Sequence, residues 1–276
     1  MSRLDTGRSL LRGCFAVARA VPVLLVPGLV HAVASFALTA AFLFAVWGDD
    51  QLRAETALLL FAVLVATSVV GTLTAAVVVA MTVQTMKGLP IGLRDGVRIV
   101  VPHLPTLLVW SLLNATVGAT LRVIEDRVGR WVSWAATALF TLATLLVVPV
   151  IVLEGGSVRE ALRRSAALFR ERWGEATVSR GGIELVLMIW WTIAVVLVVL
   201  PLTLIGMAPA IVAAVVLLAI YFAVNATTTA ILSAALHRYA TDGDGGPFGD
   251  LSHLFVPRGP QYQPSYAAPH GRWDAS

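Results

Sequence analysis

The sequence predicts an all-α membrane protein: six transmembrane helices with two or three cytoplasmic amphipathic helices lying at the membrane interface. Three observations predict it. The mean hydropathy is +0.85, and charged residues make up 13 % of the 276, against about a quarter in soluble domains. The apolar residues come in runs of about 20 residues or more, enough to span the hydrocarbon, rather than at amphipathic spacing. Those runs are continuous, whereas the strands of a membrane barrel alternate apolar and polar positions.

The elements follow in order. Arg3, Arg8, Arg12 and Arg19 mark an interfacial helix near residues 3–19. The apolar run after it is much longer than the cleavable core of a signal peptide, and another span follows, so it reads as an uncleaved first span. Spans are placed near 23–47, 57–86, 104–124, 131–153, 183–206 and 209–236, the last two divided at Gly206-Met207-Ala208-Pro209. Further interfacial helices are placed near 91–101 and 157–173.

Charge sets the orientation. The Lys and Arg residues number four before the first span, three in 87–103, six in 154–182 and three after 237, making sixteen on one side against four on the other. The basic side, carrying both termini, is cytoplasmic by the positive-inside rule. A pI of 9.8 points to anionic lipid headgroups rather than nucleic acid, because the charge is juxtamembrane and no nucleic-acid motif accompanies it. The single cysteine, Cys14, can form no internal disulfide.

Two heptads punctuate the chain. GLRDGVR (92–98) and SVREALR (157–163) agree in residue class throughout. On a helix, Val158, Ala161, Leu162, Ala166, Phe169 and Trp173 share one face, edged by Arg159, Arg163 and Arg170. Ser157 and Glu160 form a capping box, with Gly174 as the stop. In the earlier copy Leu93, Val97, Val100 and Val101 share a face opposite Arg94, Asp95 and Arg98, and Pro102 ends the helix. Each heptad opens a unit of one amphipathic helix followed by two spans. Arg8 and Arg12 begin a weaker third copy. Such interfacial helices present Arg to phosphates and Trp to the boundary, so Arg94, Arg98, Arg159, Arg163, Arg170 and Trp173 are candidate contacts for lipid or a membrane-protein partner.

The stretch VVPVIVLEGGSVREALRRSAALFRERWGEA, residues 147–176, with Pro149, Glu154, Gly155, Arg163-Arg164-Ser165 and Arg172-Trp173-Gly174-Glu175, resembles an uncharacterised prokaryotic integral membrane family, domain of unknown function 6159. The resemblance runs from the Arg-rich N-terminus through Arg94-Asp95-Gly96 to Arg238-Tyr239-Ala240. It implies six spans with cytoplasmic termini and supplies no catalytic residue.

Ionisable or amide side chains inside spans are costly and are the first candidates for function. His31 reads either as a proton-sensing or substrate group or as a neutral imidazole bonded between helices. Asn114 and Asn225, the latter followed by Thr227, Thr228 and Thr229, bond across helices or line a polar path. Glu154 ends the fourth span before Gly155-Gly156, within reach of an Arg of the next helix. Glu184 with Arg180, and Arg122 with Glu125 and Asp126, read as interfacial pairs. No metalloprotease, serine-hydrolase or phosphate-loop motif is present, and the five histidines are too scattered for a metal site. The expectation is a non-enzymatic component without cofactor that binds lipid, another membrane protein or its own copies. The alternative is a small-solute transporter or channel, favoured if His31, Asn114, Glu154 and Asn225 meet at one cavity. Residues 241–276, rich in Gly and Pro, read as a disordered cytoplasmic tail.

Overall fold

The computed structural model describes residues 3–46, 54–128, 140–141, 144–172, 177–243 and 248. Nine α-helices order these residues: α1 (Arg3–Ala20), α2 (Leu25–Ala45), α3 (Ala54–Met86), α4 (Leu93–Val100), α5 (Leu104–Val128), α6 (Val147–Leu153), α7 (Val158–Arg172), α8 (Thr177–Thr203) and α9 (Met207–Asp242). No strand occurs among them. Pro27, Pro105, Pro149 and Pro209 each fall in the first turn of a helix, where a missing amide breaks no intrahelical bond. Leu204, Ile205 and Gly206 separate α8 from α9, ending at the Gly206–Pro209 stretch where the sequence places the boundary.

α3 is the centre of the bundle, packed by α2, α4, α5, α6 and α9. The core lies towards one end. It joins Val77–Met81 of α3, Val147–Val152 and Ile231–Leu236 of α9 with Leu107 and Trp110 of α5. Elsewhere large apolar side chains point outward, among them Phe44, Leu58, Trp190, Leu197 and Leu204. So much exposed apolar surface suits hydrocarbon rather than water. Four segments are long and apolar enough to cross a membrane: Pro22–Ala45, Glu55–Met86, Leu93–Leu121 and Met207–Asp242. The apolar part of α8, Leu187–Thr203, is shorter.

The two heptads start their helices by the same device. The Asp95 carboxylate accepts from the Gly92 amide at 3.1 Å, and Glu160 Oε2 accepts from the Ser157 amide at 2.8 Å. Ser157 Oγ in turn accepts from the Glu160 amide, completing the box. In each case the acid three residues into the heptad satisfies an amide that the helix leaves unpaired. α1, α4 and α7 precede α2, α5 and α8 in the chain.

Four details depart from the sequence reading. The fourth span is not one continuous helix: a turn at Leu145-Leu146 separates Thr144 from α6, because Pro149 has no amide to give the Leu145 carbonyl. Residues 129–139 and 142–143 of that span lie outside the described residues. The buried face of α7 is Ala161, Ser165 and Leu168, with Ala166 outside; small Ser165 fits where the rotation brings it against the core. On α4 the buried positions are Gly96 and Val100, while Val97 and Val101 are exposed. Gly96 turns inward because a Cβ there would sit 2.6 Å from Met81 Cγ, so the absent side chain lets α4 lie directly on α3. Finally, the tail does not begin at residue 241. Thr241 and Asp242 close α9, Gly243 caps it at φ 73°, and Phe248 packs on Gly13 of α1.

Candidate functional site

Two glycines set the walls of a cavity. Gly28 in α2 lies so close to α9 that a Cβ would be 2.6 Å from the Ala223 carbonyl oxygen and would collide with Thr227 Oγ1. One turn on, the His31 imidazole lies across Gly71 of α3, its Cε1 3.0 Å from where a Cβ would be. Glycine on each side thus lets α2 wedge between α3 and α9 with its one ionisable side chain turned inward. Asn114 of α5 reaches α3 by donating from Nδ2 to Ser68 Oγ at 3.3 Å, and Ser68 Oγ donates to the Ser111 carbonyl at 2.9 Å.

Between these helices and residues 141–148 lies a cavity of about 590 Å³. His31, Asn114 and Asn225, which the sequence separates widely, all line it, together with Gly28, Gly118 and Thr227. Its size is within the range of about 300–1,000 Å³ usual for small-molecule sites. Hydroxyls of Thr74, Thr144 and Ser233 add to the lining, and Trp110 and Phe222 supply aromatic surface. No Asp, Glu, Lys or Arg is among the described residues of the lining. His31 Nδ1, Asn225 Oδ1 and Thr227 Oγ1 have no hydrogen-bond partner among the described residues. His31 Nδ1 makes no bond between helices among the described residues, whereas Asn114 does bridge two helices.

Glu154 stands apart from the cavity. Its Oε1 is 2.8 Å from His237 Nε2, and Arg164 Nε donates to its Oε2 at 3.2 Å. The carboxylate thereby ties the end of α6 to both α9 and α7. Gly155 and Gly156, at φ 78° and 94°, turn the chain there in a conformation that only glycine adopts readily. The partner His237 was missed by sequence reasoning, yet a signal existed: Asn225, Thr229, Ser233 and His237 recur every four residues, one line along the helix. The first three line the cavity and the last meets Glu154.

The arginine candidates remain on the outside. Arg94 and Arg98 on α4, and Arg159 and Arg163 on α7, are exposed. α4 follows the end of α3, and a Cβ on Gly155 would lie 4.0 Å from His103, so α4, the α6–α7 joint and the end of α9 gather at one end of the bundle. The side chains of Arg122, Glu125, Asp126, Arg170, Arg180 and Glu184, and all of Trp173, lie outside the described residues. Among the described residues no group of three His, Cys, Asp or Glu is placed to hold a metal ion.

The family model described as family of unknown function, DUF6159, matches residues 52–248. The chain belongs to this family. The DUF6159 match covers α3 to α9 and Phe248, and so every wall of the cavity but the one from α2; α1 and α2, with Gly28 and His31, precede it. The resemblance read from the sequence named this family, over a stretch from the Arg-rich N-terminus to Ala240. No curated protein and no solved structure matches the chain.

Proposed function

We propose that this DUF6159 member is a six-span protein of a prokaryotic cell membrane, both termini cytoplasmic, that binds a small solute in the cavity of its helical core and passes it across the bilayer. The observation that carries the reading is the convergence of His31, Asn114 and Asn225 on one cavity with polar atoms left unpartnered. An unpaired polar group in a lipid-embedded bundle costs several kcal/mol, and a solute that bonds to it offsets that cost. Glu154 is engaged elsewhere, so three of the four candidate groups support the transport reading that ranked second on sequence alone. On this reading the chain is not an enzyme and needs no cofactor.

A second role is favoured by the exposed Arg94, Arg98, Arg159 and Arg163 on α4 and α7. With both helices on the cytoplasmic interface, each guanidinium near anionic headgroups contributes on the order of 1 kcal/mol of membrane attraction. These contacts anchor the protein and leave the cavity free.

Native mass spectrometry of the chain released gently from its own membrane tests the solute reading. A small non-lipid molecule retained by the wild type and lost from the double variant Asn225→Leu, Thr227→Val supports it. A bare chain, or one holding only phospholipid or a protein partner, overturns it.

A further inference from the structure

We infer that the cavity takes an uncharged solute that brings several hydrogen-bond donors, such as hydroxyl or amide N–H groups, together with C–H surface. The inference rests on the solute-binding reading and names the class of solute. Charge is decided by the lining, which among its described residues has neither carboxylate nor ammonium nor guanidinium. An ion entering so apolar a bundle without a counter-charge meets a desolvation penalty of several kcal/mol. Glu154, which meets the α9 line at His237, already has two partners, His237 and Arg164.

The hydrogen-bonding sense is decided by what the lining groups already do. Thr74 Oγ1 donates to the Val70 carbonyl, Thr144 Oγ1 to Phe140 and Ser233 Oγ to Ala230, each within its own helix. Their protons are used, while their oxygen lone pairs remain. Asn114 has spent a donor on Ser68. Asn225 Oδ1, which can only accept, has no partner. Thr74, Thr144 and Ser233 thus present acceptors with no free proton, joined by Asn225 Oδ1, beside the remaining amide N–H groups of Asn114 and Asn225 and the His31 ring, and a complementary solute supplies protons to those oxygens. Thr227, 1 % exposed with an unpartnered hydroxyl, can serve either way. Trp110, Val78 and Phe222 add apolar surface to the lining. A dehydrated alkali cation would also meet oxygen atoms, but the helix carbonyls that normally replace its hydration shell are tied up in backbone bonds.

Gly118 offers a probe site, since a Cβ there meets nothing within 4 Å. The chain carrying Gly118→Cys is labelled in detergent with neutral methyl methanethiosulfonate and with its sulfonatoethyl and trimethylammonioethyl counterparts, each rate divided by that of free cysteine. The neutral reagent is expected to react at least tenfold faster than either ion. Its rate should fall severalfold in molar erythritol, and not in equimolar 1,2-dimethoxyethane, which has no donor. Asn225→Leu in the same chain should abolish that protection. If no reagent labels the introduced thiol, the cavity is closed and the solute reading falls with this inference. If the anionic or cationic reagent keeps pace, or the ether protects as well as erythritol, this inference alone is overturned and the cavity remains a site of another class.

Discussion

His237 Nε2 and Glu154 Oε1 lie 2.8 Å apart, joining residues 83 positions distant at the point where α6, α7 and α9 meet. His237 is 4 % exposed, so the carboxylate is its one route to satisfying Nε2. The contact holds the cavity-lining face of α9 in register with the α6–α7 joint.

Glu154→Ala should cost about 1–3 kcal/mol, the usual consequence of leaving a buried polar group unpaired. Glu154→Gln, whose amide oxygen still accepts from an imidazole N–H, should cost less. Arg164→Ala removes an exposed ion pair and should cost at most about 1 kcal/mol. Thermal unfolding in detergent, followed by light scattering, ranks the three.

The glycines separate by what surrounds them. Gly28→Val drives a side chain into the Ala223 carbonyl and Thr227 and should destabilise by about 1–3 kcal/mol as α2 is pushed from α9. Gly118→Ala enters open space and should stabilise α5 by about 0.5–1 kcal/mol through helix propensity. The same melting experiment should show shifts of opposite sign.

Asn225→Leu with Thr227→Val keeps the shape of the wall while removing two unpartnered polar atoms. Replacement of polar groups by apolar isosteres that leave nothing unpaired is neutral or stabilising. The melting temperature should hold or rise while the retained solute is lost. A fall corresponding to more than about 1 kcal/mol would show that these groups glue helices together.

The Glu160 carboxyl is held below its ordinary pKa, first by the Ser157 amide and then by the Ser157 hydroxyl, with Arg163 adding a smaller pull. A depressed folded value means that the cap contributes fully above the ordinary glutamate pKa of about 4.3 and is lost as pH falls through the folded value. Hydrogen exchange in the first turn of α7, corrected for intrinsic rates, should therefore accelerate in acid. Glu160→Gln should flatten that dependence.

Burial pushes the Cys14 thiol up to about 12, so at neutral pH it should react more than about a hundredfold slower than a free thiol. The native cysteine is then a silent background for topology. Cysteine at Leu89 should be labelled from the cytoplasmic side and at Leu204 from the outside. Reversal of the two would invert the proposed orientation.

Much was legible from local rules. Composition and run length announced apolar helices, Pro209 marked the start of α9 within two residues, and the S-x-x-E box at Ser157 is formed as read. The rotation of α4 and α7 was less legible, because side-chain class cannot say that Gly96 and Ser165, by being small, are the positions that face a neighbour. His31, Asn114 and Asn225 were picked out by cost alone, as polar groups in apolar runs. Nothing local could say that they share one cavity while Glu154 does not.

The sequence by itself determined the class of apolar helices and the helix boundaries near prolines and caps, because each depends on interactions within a few residues or on summed transfer energy. The tertiary structure alone decided the cavity, the unpartnered atoms on its walls and the pairing of Glu154 with His237. Those depend on how closely two helices approach, and that distance is set by the absence of side chains at Gly28 and Gly71 against partners far away in the chain.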